Sequence, residues 1–461
     1  MFSTRLFLLL ALLAAVALAV PAPGRHRGLH KRSFIVPRQV NTAHPTGPNG
    51  PAAMRKVYRK YNFKGLKEFM EDPEGFIGQK DEKAQGEGEN RTETRPASEV
   101  AGKNQSGTVA ANPEQNAALF LSPVEVGGQM LNLDFDSGSS DLWMFSTELD
   151  PRVIGKHAAF DASKSTTFKK AAGAQFKISY GDGSGAAGTV GTDTVTIGGV
   201  KVGNQAIELA NQVSQSFVED LNTDGLVGLA FSQLNTVTNG AKKTPQKTFF
   251  DNVMPTLDLP VFTADLDPDG TGVYEFGKID ATKFEGEMAW IPVKSETGFW
   301  QFPSTKFAID DQTFENPAGS DAIADTGTSL LLVDQEVAEA YYSQVEGAQL
   351  NQQVGGFIYP CAAALPDISV AIGDSYMAKI PGDQVTFTTV DQANTTCFGG
   401  VQGNQGAGMQ IFGDTMFKAQ FVAFNGGNQS LGFGQKPVAG KAKARRRVPV
   451  PMPMVPVPLE A

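Results

Sequence analysis

Two stretches of this chain set an aspartate in the same surroundings. In DFDSGSSDLW an apolar run ends at Asp136 and passes into Ser137, Gly138 and Ser139; in IADTGTSLLL another ends at Asp325 and passes into Thr326, Gly327 and Thr328. One such turn is ordinary strand-to-turn chemistry. Two in one register, 189 residues apart, indicate a duplicated unit. The repeat extends downstream: Gly228 of GLVGLAF follows Asp136 by 92 residues, and Gly413 of QIFGDTMF follows Asp325 by 88. Two carboxylates held together can hydrolyse an amide, one taking a proton from water while the other gives one to the carbonyl oxygen. Close carboxylates resist ionising together, so one apparent pKa falls and the other rises, and the expected working range is acidic.

Other hydrolytic chemistries have little to draw on. Of four histidines, His26, His30 and His44 lie in an N-terminal region expected to be removed, leaving His157 as the single candidate for a Ser-His-Asp site. No HExxH pattern or clustered Cys/His spacing offers zinc ligands, so no metal is expected. Cys361 and Cys397, 36 residues apart in a chain expected to be exported, read as a structural disulfide.

The elements that must position the aspartates read as strands. Residues 176–210 alternate β-branched with polar residues and turn at Gly and Asp, and the same texture recurs near 272–276 and 429–433. Tyr180, Gly181, Asp182, Gly183 and Ser184 form a hairpin tip between two such runs. The clearest helix is residues 334–344, where Val337, Ala340 and Tyr341 fall at helical spacing. An all-β body with short helices is expected.

Charge divides the chain. Residues 20–67 hold 11 Lys and Arg and no acid, whereas residues 104–436 hold 17 basic against 38 acidic side chains, a net of −21. A basic arm beside an acidic body predicts docking within one chain, and such a body repels nucleic acid and anionic membranes. Residues 1–19 read as a secretory signal, with Arg5, an apolar run and a small-residue cleavage site. The expected organisation is signal 1–19, basic prosegment and linker 20–103, lobes 104–285 and 286–436, and a basic, Pro-rich tail 437–461. Asn394 and Asn428 begin glycosylation sequons, as do Asn90 and Asn104.

DFDSGSSDLW, YGDGS, GLVGLAF, IADTGTSLLL and QIFGDTMF, in this order, resemble the pepsin-like aspartic endopeptidases. TFFDN, GVYEFGKID and GFWQF bring the resemblance toward secreted fungal members of the penicillopepsin and aspergillopepsin type. The resemblance implies a bilobal all-β fold with a central cleft, one Asp loop per lobe, no cofactor, and a secreted, monomeric acid protease made as a zymogen. It makes Asp136 and Asp325 catalytic, has Ser137 and Thr326 brace the loops, and has Ser139 and Thr328 bond the outer carboxylate oxygens. Ser137 departs from the usual Thr but keeps the hydroxyl. By the same resemblance residues 180–184 are the flap, with Tyr180 near Trp143 and backbone of Gly181 and Asp182 facing substrate, and Lys60 with Tyr61 plugs the cleft of the precursor. Expected partners are protein and peptide substrates, the chain's own prosegment and pepstatin-type inhibitors. Apolar and aromatic residues should flank the cut bond, and Asp182 should add acceptance of Lys.

Two alternatives make different demands. A glycoside hydrolase also needs only paired carboxylates but predicts no twofold repeat and more aromatic platforms than three Trp supply. A pepsin-like scaffold that has lost catalysis and serves as a binder or inhibitor has no need of two intact aspartates.

Overall fold

The computed structural model describes residues 120–437 apart from 181–183, 269–271 and 392, together with Gly50, Ala53, Met54, Val57, Tyr61, Ile77, 107–110 and 112–113. The expected signal segment, Lys60, Gly181, Asp182, Asn90, Asn104 and the tail beyond Pro437 lie outside the described residues.

Each half of the body is built on the same crossing of strands. Gln129–Asp136 runs parallel to Gly225–Gly228, with Asp136 opposite Gly228, and Leu142–Phe145 runs antiparallel to Gly225–Gly228, with Leu142 opposite Val227. In the second half Asp321–Ala324 runs parallel to Gln410–Phe412, and Leu331–Val333 lies antiparallel to it, with Leu331 opposite Phe412. Leu142 and Leu331 are 189 residues apart, the spacing of the two aspartates, so the repeat in sequence is a repeat in register. Leu142–Phe145, Gly225–Gly228, Leu331–Val333 and Gln410–Phe412 are buried throughout. Strands covered on both faces do not alternate, which is why Leu142–Phe145 and Leu331–Val333 are apolar throughout. Glycine is required at the crossing, because a Cβ on Gly228 would lie 2.5 Å from Ser140 Cα and from Asp141 N.

Around these crossings the first lobe forms a ten-stranded sheet that includes Lys169–Ser179, Gly185–Ile197 and Val200–Val213. The second lobe forms a five-stranded sheet and two four-stranded sheets. A six-stranded sheet joins the lobes by setting Val261–Leu266 against Gln420–Asn425. There Phe262 stacks on Phe424 at 4.3 Å, and Trp300, 5.3 Å from Phe424, donates its indole N–H to Leu229 O at 3.0 Å. The expected boundary at 285/286 falls at the start of Glu285–Pro292, a strand of this sheet.

The helix expected at 334–344 is Gln335–Tyr342, with Asp334 at its N-cap and Val337, Ala338, Tyr341 and Tyr342 buried. Cys361 and Cys397 form the expected disulfide, with Cα atoms 4.9 Å apart. Among the described residues no helix is long and apolar enough to cross a membrane.

Candidate active site

Asp136 closes the strand Gln129–Asp136, and Asp325 follows directly on Asp321–Ala324; both are buried. Each carboxylate is held by its own turn in the same way. Oδ1 of Asp136 accepts the Gly138 N–H at 2.8 Å and Oδ2 the Ser139 hydroxyl at 2.5 Å. Oδ1 of Asp325 accepts the Gly327 N–H at 3.1 Å and Oδ2 the Thr328 hydroxyl.

The two turns are tied across the pseudo-twofold axis. Ser137 N–H donates to Thr326 Oγ1 at 3.1 Å, and Thr326 N–H donates to Ser137 Oγ at 2.9 Å. Each hydroxyl then donates to a carbonyl of the other lobe, Ser137 to Ala324 O at 2.9 Å and Thr326 to Phe135 O at 2.6 Å. Ser137 therefore makes the same pair of bonds as Thr326, so lacking the methyl group removes nothing from the brace. Turns this close leave no space at Gly138: a Cβ there would lie 2.5 Å from Asp325 Oδ1. Carboxylates in this setting can pass protons to and from a molecule bound between them.

Above Asp136, Tyr180 N–H donates to Ser184 O at 2.9 Å, closing the hairpin tip between Lys169–Ser179 and Gly185–Ile197. The Trp143 indole N–H donates to the Tyr180 hydroxyl at 2.8 Å. Burial, followed by the charge of Asp136, pushes the Tyr180 hydroxyl well above its ordinary pKa, so it stays a neutral hydrogen-bonding group. Phe217, which the sequence reading missed, packs edge-on against Trp143 at 4.8 Å and lies 5.9 Å from Tyr180. It sits in a short helix, Gln215–Glu219, with no motif around it, and only its contacts reveal it.

Residues of the basic N-terminal segment also reach this region. Gly50, Ala53, Met54 and Val57 are helical and fall at one-face spacing, and Met54 and Val57 are buried against Ile323, Leu330, Ile358, Phe398 and Ile411. Tyr61 continues the same face: its N–H bonds Val57 O at 3.3 Å, its ring lies edge-on to Phe299 at 5.9 Å, and its hydroxyl donates to Asp325 Oδ2 at 2.7 Å. Burial, then the charges of Asp325 and Asp136, raise the Tyr61 hydroxyl well above its ordinary pKa. Ile77 pairs with Val213 through reciprocal backbone bonds of 2.8 and 2.9 Å. The basic charge of this segment was legible in sequence; the apolar anchors Met54 and Val57 were not singled out. Asn394 and Asn428 are both exposed, Asn428 in the turn between Gln420–Asn425 and Ser430–Gln435.

Comparison with known proteins agrees with this geometry. The eukaryotic aspartyl protease family profile matches residues 120–436. An aspergillopepsin A-like aspartic endopeptidase of Aspergillus fumigatus is 46% identical over 441 residues, covering 94% of this chain and 99% of the relative. Penicillopepsin-1 of Penicillium rubens is 46% identical over 328 residues, 71% of this chain and 81% of the relative. Endothiapepsin of Cryphonectria parasitica is 41% identical over 392 residues, 84% and 87% of the two chains. Repeated fold, twin Asp loops and relatives of near-equal length lead to one conclusion: the chain belongs to the eukaryotic aspartyl protease family and is a pepsin-like aspartic endopeptidase of fungal type.

Proposed function

We propose that the protein is a secreted acid endopeptidase in which Asp136 and Asp325 share one proton. The ionised carboxylate takes a proton from water as its oxygen attacks the peptide carbonyl, and the protonated one gives its proton to the carbonyl oxygen. The C–N bond then breaks as a proton passes to the leaving amine. The observation that carries this reading is the mirrored support of two buried carboxylates, each bonded by its own Gly N–H and hydroxyl, with the turns cross-linked through Ser137 and Thr326. Tyr180 and Trp143 are the anchored base of a flap whose Gly181 and Asp182 would face the peptide. Apolar and aromatic side chains are preferred at the cut, and Asp182 would accept Lys before it by charge pairing.

The chain would be made as a zymogen, with signal 1–19, prosegment and linker 20–103, lobes 104–285 and 286–436 and tail 437–461, acting as a monomer. Lys60 and Tyr61 would plug the cleft, and the Tyr61 hydroxyl on Asp325 supports this reading. A carboxylate paired with an ammonium is held below its ordinary pKa, so that part of the docking is present at higher pH and is lost as pH falls through the lowered value. Glycans would be carried on the exposed Asn394 and Asn428.

The deciding assay is peptide cleavage by acid-processed protein, with Phe or Lys before the cut. Cleavage blocked by a pepstatin-type inhibitor, from a precursor that stays whole near neutral pH, is expected. A folded, processed chain that cuts no peptide at any acid pH would instead be a binding or inhibitor scaffold.

A further inference from the structure

Beneath the Asp136 turn lie two more carboxyl groups that the hydrolytic reading does not use. Asp141 ends the loop that Asp136 begins, and Glu208 lies on Val200–Val213 directly opposite Trp143. Both are 1% exposed. Asp141 Oδ1 accepts the Thr236 N–H at 3.0 Å and the Thr236 hydroxyl at 2.6 Å, and Glu208 Oε1 accepts Asn235 Nδ2 at 2.8 Å. The remaining oxygens, Asp141 Oδ2 and Glu208 Oε2, are buried and take no hydrogen bond from any donor among the described residues. Asn235 Nδ2 also reaches Asp141 Oδ1, at 3.4 Å, so one amide nitrogen bridges the two carboxyl groups. Two buried carboxyl groups that meet at one donor, each with an oxygen left undonated, cannot both stay ionised, so one of the two groups is an acid.

We propose that Asp141 and Glu208 share a single proton in the working enzyme and that this pair positions the loop carrying Asp136. The proposal rests on the reading of Asp136 as half of the dyad.

The pair is wired to that loop at several points. Asp141 O accepts the Gly228 N–H at 2.8 Å, and Asn235 Nδ2, besides holding Glu208, reaches Ser140 O at 3.3 Å. Further along, Leu229 N–H bonds Asp136 O at 2.8 Å and Ala230 N–H bonds Ser139 O at 2.9 Å. On its other side Glu208 adjoins Trp143, which holds Tyr180. The shared proton therefore links the floor of the first catalytic turn to the base of the flap.

The second lobe shows what the same place looks like without this device. At the 189-residue offset Leu330 stands where Asp141 does, and Gln402, opposite Leu332, stands where Glu208 stands opposite Trp143. Gln402 is a neutral amide, fully employed: its Oε1 accepts the Phe357 N–H at 2.7 Å, and its Nε2 donates to Phe357 O at 3.2 Å and Gly399 O at 2.9 Å. One lobe makes this junction with an amide, and the other makes it with a proton.

A proton can be lost. Burial raises both Asp141 and Glu208, and for Glu208 the Asp141 charge raises it further. Among the described residues Lys243 is the cation that favours the Asp141 charge, the smallest of its influences, and Tyr180 is the other titratable group that feels both carboxyls. With native values above unfolded ones, the native state holds more protons between them. Stability is greatest at acid pH and declines as pH rises toward the raised values.

The test compares Glu208→Gln with the unaltered protein, both in a full-length chain carrying Asp325→Asn so that self-cleavage and catalysis cannot affect the reading. Gln keeps the bond to Asn235 and donates to Asp141 at every pH. The gap in Tm between pH 4 and pH 7 should shrink by about 3 °C or more. In the otherwise unaltered enzyme the upper pH limit of peptide cleavage should rise while the acid-side rate holds. Asp141→Asn gives the same readout by the opposite exchange should Glu208→Gln fail to fold. An unchanged gap, or an equal fall in Tm at both pH values, overturns the shared proton, whereas failure of the dyad would appear only in the cleavage assay.

Discussion

The two lobes carry the same turn on different foundations. Asp136 and Asp325 are held by matching Gly N–H and hydroxyl donors, and Ser137 and Thr326 by matching cross-bonds, so the region that touches chemistry is nearly superimposable in its bonding. One layer down the likeness ends. The first lobe places Asp141 with Glu208 and builds the Tyr180 hairpin over its turn; the second places Leu330 with Gln402 and is stapled by Cys361–Cys397. A reaction that needs two equivalent carboxylates constrains the turns together. Their supports answer only to local burial and hydrogen bonding, and are free to differ.

The sharpest way to break the likeness is to neutralise one aspartate at a time. Asp136→Asn and Asp325→Asn keep shape and most hydrogen bonds but remove the acid/base function, so each should lower kcat by about 10³-fold or more, with Tm little changed. The two losses should be similar, because each carboxylate is needed in a different protonation state. Substantial turnover by either purified, processed variant would rule out the dyad.

The staple is the next largest difference. Closing a 36-residue loop restricts the unfolded chain by about 3 to 4 kcal/mol in the chain-entropy model. Cys361→Ser with Cys397→Ser should therefore lower the stability of the second lobe by that order while leaving cleavage at 25 °C nearly unaltered. Calorimetry that finds the first lobe destabilised equally would show that the lobes melt as one unit.

Smaller effects are expected at the brace, where the lobes should agree again. Ser137→Ala and Thr326→Ala each leave a buried N–H and a buried carbonyl without their partner, at about 1–3 kcal/mol per orphaned group. Ser137→Thr should keep full activity. If Ser137→Ala proves silent in both kcat and denaturant midpoint, the cross-bonds contribute nothing to holding the turns.

What the sequence disclosed follows the same division. The Asp turns and the downstream glycines were legible because backbone geometry there admits few residues: Gly138 and Gly228 have no space for a Cβ. Strands were legible where residues alternate, as over residues 176–210, which hold Gly185–Ile197. Phe217, Met54, Val57 and the Asn235 bridge between Asp141 and Glu208 were not legible, since each depends on what a side chain meets across many residues of chain. Asp141 lay inside a motif and still gave no sign of its partner, because an acid in a polar turn looks the same whether it faces water or another carboxyl.

The smallest expected difference is in how the lobes respond to pH. In the first lobe Asp224 accepts the N–H groups of Asn132 and Ala158, both at 2.8 Å, yet burial pushes its carboxyl up to about 6. In the second lobe burial works against the Asp367 charge, but Lys379 and the Gly382 N–H outweigh it and hold Asp367 below its ordinary pKa. The signs are opposite. With its native value raised, Asp224 contributes most at acid pH, and that contribution fades as pH climbs from the unfolded value to about 6. Asp367, lowered, keeps its contribution throughout that window and gives it up only as pH falls through its lowered value. Between pH 4 and 6.5 the Asn132 and Ala158 amides should lose protection against hydrogen exchange by about tenfold, one pKa unit of local stability, once intrinsic rates are divided out. The Gly382 amide should hold its protection. Equal changes at all three amides would mean that opening is global and that local carboxyls do not set the order in which the lobes loosen.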